Sequence, residues 1–221
     1  MTEASLSRIV MVISGGGSNL QAIIDGCANK DIPGKISGVI SNNSDAYGLI
    51  RAENAGITTA VLDHREYESR SSYDQSLATL IHSFSPDLIL LAGFMRILTP
   101  EFVAQFKGKL LNIHPSLLPK YPGLHTHRRA LENHDSEHGA TVHYVTEELD
   151  GGPIIIQGAI PIESGDDESS LASRVQTQIE HHIYPIAAAW YLNGRIKLLE
   201  NGVEYNSKLL SKSGYQYSQQ G

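Results

Sequence analysis

Apolar residues in this chain gather in short runs, and the runs alternate between two spacings. Ile9–Ile13 is a continuous β-branched run, the pattern of a strand buried on both faces. Leu20, Ile23 and Ile24 follow at helical spacing. The alternation repeats: Ile36–Ser41 and Thr58–Leu62 read as strands, with a helix over Ala46–Asn54 that stops near Gly56. Tyr67–Phe84 reads as a helix closed by Ser85-Pro86. Asp87–Gly93 is the most apolar strand, and Thr99-Pro100 has the chemistry of a cap followed by a first helical residue. Leu110–His114 is a strand stopped by Pro115, and a short helix ends over Ala130–Asn133. Gly139–Thr146 and Ile154–Pro161 read as an antiparallel pair. Asp166–Ser170 opens a last long helix with acids in its first turn, buried along Leu171, Val175 and Ile179, and Ala187–Leu192 finishes a helix before Asn193-Gly194. Strands alternating with helices imply an α/β fold: a mostly parallel sheet, helices on both faces and an antiparallel C-terminal edge. One domain is expected over residues 1–205. Residues 206–221, rich in Ser, Gln and Tyr, are expected to be a mobile tail.

Composition narrows the function classes. The 221 residues, 41% hydrophobic and 19% charged, are enough for one full core. A net charge of −7 with no basic block argues against a nucleic-acid partner. The single cysteine, Cys27, rules out a disulfide framework within the chain and a cysteine-cluster metal site. No run approaches a membrane span, and Met1–Ser7 lacks an apolar leader core, so a cytoplasmic protein is expected.

Four stretches carry candidate chemistry. Ser14-Gly15-Gly16-Gly17-Ser18-Asn19 joins the first strand to the first helix. Such a loop offers backbone N–H groups and a positive helix end to an anion. It is neither a Walker A loop nor a full dinucleotide fingerprint, and a plain tight turn would not need three glycines. Asn112 and His114, two apart on a strand, point to one face at the end of the sheet, where ligands bind in open α/β folds. Asp150 lies in Leu149-Asp150-Gly151-Gly152-Pro153, a loop that needs unusual backbone angles. Phe94, Met95, Ile97 and Leu98 are too apolar for a surface loop; they either plug the core or line a slot for a flat ring. The histidines at 125, 127, 134, 138 and 143 invite a metal reading, but no zinc spacing completes them, so none is assigned.

Asn112-x-His114 together with Leu149-Asp150-Gly151-Gly152-Pro153-Ile154-Ile155 resembles the folate-dependent formyltransferases. Tyr121-Pro122-Gly123-Leu124-His125-Thr126-His127 is similar to the branch acting on glycinamide ribonucleotide. The resemblance spans roughly residues 8–200 and implies a Rossmann-like fold. It implies 10-formyltetrahydrofolate as co-substrate, with Arg70, Met95, Arg96, Ile97, Leu98 and Asn112 on the folate. Gly17, Ser18 and Asn19 would take the ribose phosphate. A glutamate before a His-x-x-aromatic-Pro run would hold the glycinamide end. Here the run from Gln176 to Glu180 is one residue longer than in some relatives, so Ile179 or Glu180 could stand there; Glu180 suits an amine.

The expected reaction is direct attack of the substrate amine on the formyl carbon within a ternary complex. Asn112 would donate to the formyl oxygen, His114 would stabilise it as imidazolium and pass a proton to the leaving nitrogen, and Asp150 would be the charge partner of His114. Cys27 lies far from these motifs and Ser116 has no evident base, so no covalent intermediate is expected. The partners are small molecules, with neither nucleic acid nor membrane, and the assembly a monomer or weak homodimer. Other formyltetrahydrofolate enzymes remain as alternatives: a hydrolase, expected to carry an N-terminal regulatory domain, or an enzyme formylating an aminoacyl-tRNA, expected to add a basic C-terminal domain. A nucleotide-binding module without catalysis would leave Asn112, His114 and Asp150 idle.

Overall fold

The computed structural model describes residues 6–218. The first five residues of the expected domain, with most of the stretch read for a leader, and the last three of the expected tail lie outside them. The central strand β1 (Ser7–Ile13) shows why the chain reads as it does. Ile9, Met11 and Ile13 enter one core and Val10 and Val12 the other, all fully buried. A strand covered on both faces has no solvent side on which to alternate.

The main sheet adds β2 (Gly34–Ser41) and β3 (Thr59–Val61) to one side of β1, and β4 (Leu88–Ala92) and β5 (Leu110–His114) to the other. All five are parallel. Beyond β5 run β6 (Glu137–Tyr144) and β7 (Ile154–Pro161), each antiparallel to its predecessor. One core is covered by α1 (Ser18–Ala28), α2 (Tyr47–Asn54), α6 (Glu168–Val175) and α7 (His181–Leu192); the other by α3 (Arg70–Ser83) and α4 (Pro100–Gln105). A short helix, α5 (Thr126–Glu132), precedes β6. The Rossmann-like α/β architecture read from the sequence is the one observed.

Three local expectations change. The helix expected from Tyr67 begins at Arg70, because Ser69 caps it by accepting from the Ser72 N–H. The last long helix is two helices joined by a π-turn over Gln176–Glu180. Leu171, Val175 and Ile179 still form one buried stripe. The C-terminal stretch, expected to be a mobile tail, carries structure instead. After β8 (Ile196–Leu199) and β9 (Gly202–Tyr205), β10 (Lys208–Leu209) completes a small antiparallel sheet. Then β11 (Tyr215–Tyr217) adds to the edge of the main sheet, parallel to β7. That edge is therefore not purely antiparallel. Its strands are two or three residues long, too short for a periodic signal, and packing of Tyr205 and Tyr215 against Trp190 accompanies them.

The topology sets the place for a site. Strand order reverses between β1 and β4, so the loops after these two strands diverge and leave a crevice at their C-terminal ends. The glycine loop follows β1 and the 93–98 loop follows β4. They touch where the Met95 N–H donates to Ser14 Oγ at 3.2 Å.

Candidate active site

The antiparallel register of β5 and β6 puts His143 opposite Asn112 and Thr141 opposite His114. Spacing along one strand pairs Asn112 with His114; only the neighbouring strand brings in His143. The His143 ring donates through Nδ1 to the Tyr144 carbonyl at 2.9 Å, which leaves Nε2 as an acceptor. The Asn112 Nδ2–H donates to it at 3.2 Å, fixing the amide's orientation. Burial holds the His143 imidazole well below its ordinary value, against the pull of the Tyr144 carbonyl and the Asp150 charge, so this ring stays neutral.

His114 is 6% exposed. Its Nε2 lies 2.9 Å from the Tyr121 carbonyl and its Nδ1 3.5 Å from Asp150 Oδ2. Both nitrogens face oxygen acceptors. Asp150 has φ +51, the left-handed backbone expected of this loop. A Cβ at Gly152 would strike the Tyr144 carbonyl oxygen at 1.7 Å, so only glycine lets the loop pass this close to β6. The Gly123 N–H donates to Asp150 Oδ2 at 2.8 Å, and Asp150 Oδ1 lies 3.8 Å from His143 Nε2. Asn112, His114 and Asp150, separated in sequence, thus meet in one network.

The loop after His114 is held from below. Thr141 Oγ1 donates to the Ser116 carbonyl at 2.7 Å and accepts from the Leu118 N–H at 3.1 Å, while the Gln157 amide donates to the Leu118 carbonyl at 2.7 Å. The Ser116 hydroxyl is used by the Lys120 carbonyl at 2.7 Å, consistent with no nucleophilic part for it. His127 and His138 meet edge to face at 5.0 Å. Burial lowers both, His138 to about 4. Among the described residues no group of three or more His, Cys, Asp or Glu could hold a metal ion.

The network forms the floor of a cleft of about 630 Å³. Met95 and Ile97, 70% and 53% exposed, line it together with Leu124 and Leu149. Leu98 borders the cleft and is otherwise buried in the core behind. Arg96 lines the cleft with its guanidinium 4.8 Å over the Tyr73 ring. Arg70 is exposed at the start of α3 and is not among the cleft's lining residues.

On the other side of the sheet end lies the glycine loop. Gly17 is the cap of α1 at φ +70, and a Cβ there would meet the Gly48 Cα at 2.6 Å. Gly17 offers α1 no side-chain cap, and uncapped N–H groups at a helix start can meet an anion. Arg51, not singled out in the sequence, donates through Nε to the Gly16 carbonyl at 2.9 Å and so brings a positive charge beside the loop. Ser18, Arg51 and His181 share a groove of about 700 Å³ between α1 and α7. The π-turn sets Ile179 and Glu180 apart. Its extra residue turns Ile179 into the core and Glu180 toward α1, where the Asn19 amide donates to Glu180 Oε2 at 2.6 Å. Burial raises the Glu180 carboxyl, and among the described residues Asn19 Oδ1 has no partner.

The chain matches the family model described as formyl transferase over residues 7–188. It is 55% identical over 208 residues to the phosphoribosylglycinamide formyltransferase of Escherichia coli (strain K12), covering 94% of this chain and 98% of that protein. The enzyme of the same name from Haemophilus influenzae is 48% identical over 210 residues, 95% of this chain and 99% of that protein. A solved structure of phosphoribosylglycinamide formyltransferase from Coxiella burnetii superposes with a TM-score of 0.91 at 46% identity, covering 97% of this chain and all of that one.

Proposed function

The chain belongs to the formyl transferase family, and from that premise we propose that it moves the formyl group of 10-formyltetrahydrofolate to the amine of glycinamide ribonucleotide, giving formylglycinamide ribonucleotide for purine biosynthesis. The observation that carries this reading is the convergence of Asn112, His114 and Asp150 on the floor of the cleft. It is supported by 55% identity to a phosphoribosylglycinamide formyltransferase over nearly the whole of both chains.

The cleft suits a flat heteroaromatic co-substrate: its walls are apolar, and the 93–98 backbone can read the edge of a ring. The residues assigned to it are Met95, Arg96, Ile97, Leu98 and Asn112. Arg70, from outside the cleft, is assigned only to the far end of the co-substrate. Gly17, Ser18 and Asn19 offer the first N–H groups of α1 to the ribose phosphate, with Arg51 adding charge. Glu180, buried against one neutral amide, is short of a cation or N–H donor, and the glycinamide amine supplies one.

When the amine attacks the formyl carbon, negative charge develops on the formyl oxygen. Asn112 donates to that oxygen with the amide that His143 has aimed. His114, held between the Tyr121 carbonyl and Asp150, stabilises the same charge and relays to the departing folate nitrogen the proton that the attacking amine gives up. No side chain becomes acylated. Among the described residues no helix is long and apolar enough to cross a membrane. Small-molecule partners, a cytoplasmic setting and a monomer or weak homodimer complete the reading.

The test is a spectroscopic assay of folate release with and without glycinamide ribonucleotide. Release only when the ribonucleotide is present is expected. Release without it would make water the acceptor and the enzyme a hydrolase; no release in either case would leave a binding module.

A further inference from the structure

The loop from Gly93 to Leu98 forms the apolar wall of the cleft, and two side chains from other elements pin its backbone. Near its start, Met95 N–H donates to Ser14 Oγ. Immediately after it, Thr99 N–H donates to Asp74 Oδ2 at 2.6 Å. Thr99 is also the cap of α4, its Oγ1 accepting from the Phe102 N–H at 3.3 Å. The position of Thr99 therefore fixes both where the loop ends and where α4 begins.

Asp74 is an unusual residue for its place. It sits on the inner face of α3 beside Tyr73 and Leu77 and is 2% exposed. A buried carboxylate is costly, and at such a position a hydrocarbon of similar size would serve packing at least as well. Among the described residues its Oδ1 has no hydrogen-bond partner, and neither does Arg96 Nε, whose guanidinium lies over the ring of the adjacent Tyr73. The strong bond Asp74 does make goes to the end of the cleft wall, 25 residues away in sequence.

We propose that Asp74 is a positioning residue for the co-substrate, holding Thr99 and thereby setting the 93–98 loop at the height where it closes on a flat ring. The inference rests on the reading of the cleft as the co-substrate site. Asp74 touches no reacting atom; it acts through the Thr99 N–H.

The experiment compares Asp74→Ala, which removes the acceptor, with Asp74→Asn, which keeps one and removes the charge. For Asp74→Ala the KM for 10-formyltetrahydrofolate should rise roughly tenfold or more, the size set by losing a hydrogen bond to a charged acceptor. The KM for glycinamide ribonucleotide and kcat should stay within about twofold. Asp74→Asn should restore most of the loss. If Asp74→Ala does not fold, Asp74→Ser, whose hydroxyl is too short to reach Thr99, replaces it. An unchanged folate KM overturns the proposal, as do equal rises in both KM values or an Asp74→Asn protein no better than Asp74→Ala. Calorimetric titration with folic acid separates the two levels of inference. A wild-type protein that binds no folate refutes the reading of the cleft, whereas wild type and Asp74→Ala binding equally tightly refute only the role of Asp74.

Discussion

Acidification should weaken this fold through His138, and the size of the effect can be worked from the structure. His138 is 1% exposed on β6, its ring edge against His127 and in contact with the Pro115 carbonyl at the start of the site loop. Burial, with His127 adding repulsion, lowers it from 6.5 to about 4. The folded value lies below the unfolded one, so the unfolded chain binds the extra proton between these limits. Stability is therefore whole above pH 6.5 and is lost as pH falls from 6.5 toward 4. Full depression corresponds to roughly 3 kcal/mol; at pH 4.5, where the folded ring has begun to charge, roughly 2 kcal/mol would be lost relative to pH 7. His127 and the neutral His143 shift in the same direction and steepen the wild-type curve. The perturbation is His138→Gln, whose side chain does not titrate. Urea unfolding at pH 7 and pH 4.5 should show a stability difference smaller by about 2 kcal/mol in the variant than in wild type. If both proteins lose the same amount between those two values, His138 is not a buried neutral group and the argument fails.

Three further outcomes are expected. His114→Ala should lower turnover roughly 10²–10⁴-fold with little change in substrate binding, and Asp150→Asn combined with it should lose little more than the worse single variant; steady-state kinetics showing additive losses would separate the two residues. Gly17→Val forces a side chain onto the Gly48 Cα at a left-handed backbone position, so calorimetry should show phosphate-bearing substrate weakened far more than folate; equal weakening would remove the phosphate assignment. Burial raises the Glu180 carboxyl, so ionising it costs stability as pH rises above its unfolded value of about 4.5. Glu180→Gln should therefore unfold at higher urea at pH 7 while raising KM for the amine substrate, and a less stable variant with unchanged KM would contradict both parts.

The sequence by itself determined the elements that have periodic signals and room to show them. Ile9–Ile13 and Leu88–Ala92 are apolar at consecutive positions because both their faces are covered, and that pattern already implied a parallel sheet between helix layers. Chemistry confined to one element was also visible. Asn112 and His114 share a strand face by period two, and Thr99-Pro100 caps α4 by local bonds alone. Tertiary structure decided what depends on neighbours distant in sequence. His143 meets Asn112 only through the β5–β6 register, and Arg51 reaches the glycine loop from α2. Glu180 rather than Ile179 faces α1 because a π-turn rotates the helix by its extra residue. The strands after Asn206 are too short to carry a pattern, and they form because an open sheet edge and the Trp190 ring were there to receive them. Local energetics write themselves into spacing; contacts across tens of residues leave no such period, and only the folded chain brings them together.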